Sequence, residues 1–134
     1  MAVEFNLETG LCKEMTVTVA PEHTAKSLGS GGVEVLSTPM LIALMEGAAQ
    51  DALQARLPEG WTTVGTRVDI EHLAATPVGM AVTARARLIE VAGRRLVFAV
   101  EAHDEQEQVG RGQHERFIVN ASRFESKTRA KAGL

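Results

Sequence analysis

Glu46 stands inside the apolar run LIALMEGAAQ, beside Leu44, Met45, Ala48 and Ala49. Burying an unpaired carboxylate is costly. Glu46 therefore reaches a solvent gap, meets a structural partner, or serves as a functional carboxylate in an apolar pocket. His72 falls on the same strand parity as Val64, Val68 and Ile70. It is either a core histidine with one satisfied bond or a group with a chemical role. Thr38 opens a helical pattern, as a plain N-cap or as a hydroxyl available for chemistry. Thr38 and Glu46 are eight residues apart. At about 100° per residue that is an offset of about 80°, so both fit one broad helix face. A hydroxyl, a carboxylate and an imidazole can together activate a nucleophile and move protons.

The other familiar chemistries are missing. No HExxH, CxxC or carboxylate cluster points to a metal, so no metal is expected. GSGG is not followed by Lys-Ser or Lys-Thr, and no GxSxG elbow is present. His23, His103 and His114 fall in a loop, beside a charged turn and in a strand, and are weaker candidates. The one cysteine, Cys12, cannot form an internal disulfide or a multi-thiolate zinc site.

The elements that must position these groups follow from patterning. The 134 residues are 45% hydrophobic and 23% charged, which fits one globular domain over 1–134. Aromatics are only 4%, so a base-stacking surface is not expected. Net charge is −3, divided as −5 over residues 1–60 and +2 over 61–134. The basic tail from Ser122 onward reads as a frayed terminus or as a landing site for a small polyanion. Extended nucleic acid is not an expected partner of an acidic chain. No signal segment stands in MAVEFNLETG, and the apolar stretch Thr38–Ala49 is too short to span a bilayer. A cytoplasmic setting without membrane contact is expected.

Met15–Ala20 alternates and predicts a first strand. A flexible loop is expected over His23–Gly32, ending in GSGG. Ser37 or Thr38 caps a helix with Pro39 in its first turn, ending by Pro58. Four strands follow in an expected meander, over about Thr63–Ala74, Met80–Val91, Arg94–His103 and Val109–Asn120. In the first, Val64, Thr66, Val68, Ile70 and His72 share one face and Gly65 lies on the other. Gly110 and Gly112 permit a bulge or a close backbone approach. One buried helix against one antiparallel sheet is an α+β layout. A curved sheet wrapped around a long central helix, the hot-dog architecture, fits these lengths. A single sheet leaves an edge uncovered, so a homodimer is expected.

TPMLIALMEGAA, VGTRVDIEHLAATPVG, EVAGRRL, AHDEQEQVGRG and QHERF occur in this order. Together they resemble the fluoroacetyl-CoA thioesterase family of hot-dog proteins, from about Met15 to Lys131. The resemblance implies hydrolysis of an acyl-CoA to a carboxylate and free CoA, with no cofactor beyond the CoA of the substrate. It implies Thr38, Glu46 and His72 as the catalytic set, and Gly65 and Arg116 as acyl-CoA-binding residues. Thr38 or Glu46 attacks, or Glu46 activates water with His72 assisting. A non-catalytic acyl-CoA binder and a hydratase or dehydratase are the alternatives on this fold. The family's fluoroacetate-resistance enzyme has phenylalanines before the helix, where this chain has GSGGVEVL. Its threonine is followed by glycine, here Pro39, and its glutamate by tryptophan, here Gly47. Several short or medium acyl-CoAs are the expected substrates.

Overall fold

A computed structural model describes residues 4–134. The first three residues of the amino-terminal stretch read for a signal lie outside them. The elements in order are β1 (Cys12–Thr18), a 3-10 turn (Pro21–His23), α1 (Ala25–Leu28), α2 (Thr38–Gln54), β2 (Trp61–His72), β3 (Ala81–Ala92), β4 (Arg95–Asp104), β5 (Gln108–Asn120) and α3 (Ala121–Ala130). The strands form one antiparallel sheet in the order β1-β3-β4-β5-β2. β2 and β1 are its edges, so the four strands after α2 are not one meander: β3, β4 and β5 pair in sequence, while β2 lies on the far side of β5 and the chain crosses over from it to β3. The sheet packs around α2, the expected hot-dog layout.

The core follows the alternation in the strands. Val82, Ala84, Ala86 and Leu88 of β3 and Leu96, Phe98, Val100 and Ala102 of β4 are buried against Leu41, Leu44, Met45, Ala48 and Leu53 of α2. Small residues let the helix lie close. A Cβ at Gly110 of β5 would stand 2.9 Å from Leu41 Cδ2 and 3.0 Å from Met45 Cε. A Cβ at Gly112 would stand 2.7 Å from Ile70 Cα and closer still to the Asp69 carbonyl. Both glycines are therefore sites of close approach.

Four further expectations need correction. β1 begins at Cys12 and ends at Thr18 rather than running from Met15 to Ala20. His23–Gly32 is not simply a flexible loop. Its first half contains α1, capped by Thr24, whose hydroxyl accepts from Ser27 N–H at 3.2 Å. The flap behind it is tied back by Ala25 N–H to Val35 O at 2.9 Å and Leu36 N–H to Thr76 O at 2.8 Å. The carboxy-terminal tail is not frayed, because α3 starts on an Asn120 cap that accepts from Arg123 N–H at 3.1 Å.

The fourth correction concerns β2. Its register against β5 shifts between Gly65 and Arg67, and Thr66 is the extra residue. A bulge turns the strand's alternation over by one position. Before it, Thr63 and Gly65 lie opposite Ile118 and Arg116, which face inward. After it, Val68, Ile70 and His72 lie opposite His114, Gly112 and Gly110. Val64 and Thr66 therefore do not share a face with His72, whereas Gly65 does.

Candidate active site

The helix start is built from two adjacent hydroxyls with different tasks. Ser37 is the N-cap, its Oγ accepting from Met40 N–H at 3.2 Å. Thr38 is thereby released from capping. Its Oγ1 is hydrogen-bonded to His72 Nδ1 at 2.8 Å. The His72 pKa is lowered by burial, against an opposing pull from the Ala74 backbone. His72 Nε2 is buried and has no well-formed hydrogen bond. An open cavity of about 380 Å³ adjoins this pair, bordered by Ser30, Val35 and Leu36 of the flap and by Leu73, Ala74 and Ala75.

The second cluster lies farther along α2. Glu46 Oε2 is 3.8 Å from Arg116 Nη1, and the Glu46 side chain is 41% exposed while that of Arg116 is 7% exposed. Glu46 thus reaches a solvent gap and a structural partner at once. Its carboxylate lies directly over Gly65, where an added Cβ would stand 2.7 Å from Oε2. The same Cβ would meet His114 Cε1 at 3.2 Å and Arg116 Nη1 at 3.4 Å.

The donors of Arg116 are held by protein groups. Nε donates to Thr63 Oγ1 at 2.8 Å, and Nη2 donates to Thr63 O at 3.1 Å and Gln50 Oε1 at 3.2 Å. Nη1 is 3.1 Å from His114 Nε2. Burial lowers the Arg116 pKa and Glu46 raises it, the first being larger. Charged groups on the interior face of a sheet require this density of partners.

The five sequence-derived residues therefore form two groups. Thr38 and His72 meet at one end, and Glu46, Gly65 and Arg116 meet at the other. Eight helical residues separate Thr38 from Glu46 by about 12 Å along the axis. A glutamate side chain does not bridge that distance. Gln50 and Thr63 have no counterpart among the sequence candidates, and His114, a weaker candidate there, joins the second cluster. The signal for His114 lies in VGRGQHERF, where Gly110, Gly112, His114 and Arg116 share one parity and so one face of β5. Among the described residues, no three His, Cys, Asp or Glu side chains gather as a metal site. No described helix is long and apolar enough to cross a membrane.

Residues 19–122 match the family model described as fluoroacetyl-CoA-specific thioesterase, FlK. The chain belongs to the FlK family. The fluoroacetyl-CoA thioesterase of Streptantibioticus cattleyicolor is 41% identical over 98 residues, spanning 73% of this chain and 70% of that protein. A crystal structure of a variant of the fluoroacetyl-CoA-specific thioesterase FlK superposes with a TM-score of 0.89 at 34% identity, covering 96% of this chain and 99% of that one. A Thermus thermophilus protein described as a thioesterase superfamily member gives 0.87 at 29% identity, covering 94% and 93%. Membership of the FlK family makes the chain a hot-dog thioesterase, an enzyme that hydrolyses thioesters.

Proposed function

We propose that the substrate is a short or medium acyl-CoA, and that each active site is completed across a homodimer. Thr38 and His72 of one protomer act with Glu46 of the other. The observation that carries this reading is the division of the site within one chain. Each half ends on β2, and β2 is a free sheet edge. Edge strands present unpaired N–H and C=O groups that a second copy can pair. An antiparallel β2–β2 contact centred near Val68–Asp69 sets Gly65 of one copy opposite the partner's His72. Val68, 39% exposed on the inner side of the edge, is then covered.

In this arrangement neutral His72 accepts the Thr38 proton at Nδ1 while Thr38 Oγ1 attacks the thioester carbonyl. The tetrahedral intermediate expels the CoA thiolate, which takes the proton from His72. Water then attacks the acyl-threonine ester, with the partner's Glu46 accepting its proton. Collapse of the second tetrahedral intermediate expels the Thr38 oxygen, which takes that proton from Glu46; the acid leaves as its carboxylate, its own proton going to solvent. Gly65, with no side chain, leaves room for the Glu46 carboxylate itself at the acyl-binding end. Arg116 closes the wall behind it as part of the acyl-binding end.

Release of free thiol from a panel of acyl-CoAs tests the activity. Hydrolysis of several short and medium chains is the expected result. No thiol release from any of them overturns the reading. Mass spectrometry of acid-quenched enzyme tests the route, with the acyl group expected on the peptide carrying Thr38. The cytoplasmic setting is part of the same proposal, since free acyl-CoA is the substrate.

A further inference from the structure

His114 belongs to neither half of the proposed reacting set. It is 1% exposed. Its Nδ1 lies 2.8 Å from Arg67 O. A carbonyl only accepts, so Nδ1 carries the hydrogen. Its Nε2 lies 3.1 Å from Arg116 Nη1, and a guanidinium only donates. The two partners together leave one fitting state, a neutral imidazole with Nδ1–H and a lone pair on Nε2. Burial, the largest influence, lowers the His114 pKa, and the facing Arg116 charge lowers it too. The Arg67 carbonyl, Glu46 and Glu115 pull the other way without reversing it.

The neutral ring gives Arg116 an acceptor that no other neighbour supplies on that nitrogen at hydrogen-bond distance. Thr63 and Gln50 take Nε and Nη2. Their own orientation is set. The Thr63 hydroxyl donates to Gln50 Oε1, and Gln50 Nε2 donates to Gln54 Oε1 at 2.7 Å and Thr62 Oγ1 at 3.1 Å. Only Nη1 faces the carboxylate. Its direction is set on one side by His114, and Glu46 Oε2 lies 3.8 Å away on the other. Without the Nε2 acceptor, Nη1, fixed in the guanidinium plane by the Thr63 and Gln50 bonds, carries a buried unpaired donor that draws the Glu46 carboxylate toward it. Glu46 then leaves the place over Gly65 where the reaction needs it.

We infer that His114 is a positioning residue for the reaction, acting through the Nη1 group of Arg116 on the Glu46 carboxylate. The inference rests on the proposed role of Glu46. The two are separable by experiment, because Glu46→Gln tests that role without touching His114.

The test compares His114→Gln, His114→Asn and His114→Leu in steady-state acyl-CoA hydrolysis, alone and combined with Glu46→Gln. Gln places an amide oxygen near the position of Nε2, Asn falls one methylene short, and Leu offers no acceptor. His114→Leu and His114→Asn are expected to lower kcat about tenfold or more, the effect of losing one hydrogen bond to a charged group. KM should stay within about twofold, because the uniform binding of substrate is untouched. His114→Gln is expected to recover most of kcat. On the Glu46→Gln background, His114→Leu should have no further effect, since both changes act through one carboxylate. Equal kcat for the Gln, Asn and Leu variants overturns the inference, as does full additivity with Glu46→Gln. If the substituted chains fail to fold, nitrogen-15 NMR of the wild-type histidine rings decides. The Nδ1–H tautomer is expected, and an Nε2–H or doubly protonated ring at neutral pH overturns the inference. Unchanged turnover in Glu46→Gln instead overturns the role given to Glu46.

Discussion

Thr38 Oγ1 lies 2.8 Å from His72 Nδ1 because Ser37, one residue earlier, caps α2 in its place. A threonine at a helix start is ordinarily consumed by the helix's own N–H groups. Here two consecutive hydroxyls divide the work, and the second faces an imidazole.

Thr38→Val removes the hydroxyl and keeps the shape. Turnover should fall by at least about a hundredfold, as for loss of a group central to proton transfer. Thr38→Ser should retain a measurable part of it. Glu46→Gln and His72→Ala should each lose a comparable factor. Circular dichroism should show the fold intact in all of them. Wild-type rates in the folded variants would remove the assignment.

Mixing inactive proteins tests the shared site. Glu46→Gln and His72→Ala chains, unfolded together and refolded, should form heterodimers with one complete site. A one-to-one mixture should regain at most about a quarter of wild-type activity. No recovery, with light scattering showing heterodimers present, would place both groups in one chain's site. A monomer of 14.4 kDa at micromolar concentration would contradict the dimer itself.

Gly65→Ala introduces a Cβ 2.7 Å from Glu46 Oε2. The obstructed atom is the end of a flexible side chain, so the carboxylate moves and the strand does not. The expected result is a loss of kcat of about tenfold or more, with a melting temperature within a few degrees of wild type. A large drop in melting temperature with normal kcat would show that Gly65 serves the sheet instead.

Both His72 and His114 have pKa values below the ordinary 6.5, in each case chiefly through burial. The unfolded chain therefore binds protons first as pH falls. The stability held by the neutral rings is complete above 6.5 and is lost as pH drops below it toward the folded-state values. Thermal melts at several pH values should show a falling midpoint below 6.5, with a shallower slope in His114→Gln. A midpoint that rises on acidification through this range would reverse the sign. Activity should follow the same acid side, since His72 must be neutral to accept from Thr38.

The flap over the Thr38–His72 cavity carries Leu28, 48% exposed, and Val33, 60% exposed, with no aromatic side chain. It brings little apolar area to the acyl group, and small apolar differences are worth about 1–3 kcal/mol. The ratio of kcat/KM for fluoroacetyl-CoA over acetyl-CoA should therefore stay below about ten thousand. A larger ratio would show that other residues rebuild the wall.

The long helix, the β3–β4–β5 meander and the core faces of β3 and β4 were legible in the sequence, whereas the crossover that pairs β2 with β5 was not. The legible features depend on local periodicity. Side chains repeat every 3.6 or every 2 positions, and burial follows that repeat. The pairing of Thr38 with His72 was accessible only as a shared resemblance, because 34 residues separate them. The choice between Ser37 and Thr38 as the cap required the actual backbone angles at the helix start.

What the sequence determined by itself is the set of elements and the identity of the polar groups placed on apolar faces. The tertiary structure decided which of those groups meet. A bulge at Thr66 reverses the parity of β2, so Gly65 and His72 face the same side despite an odd separation. A bulge is set by the register against β5, and register belongs to the pair of strands rather than to either sequence. Likewise, nothing within QHERF distinguishes a surface arginine from a buried one. Arg116 is buried because Gln50 and Thr63, far away in the chain, fold into its reach and satisfy its donors.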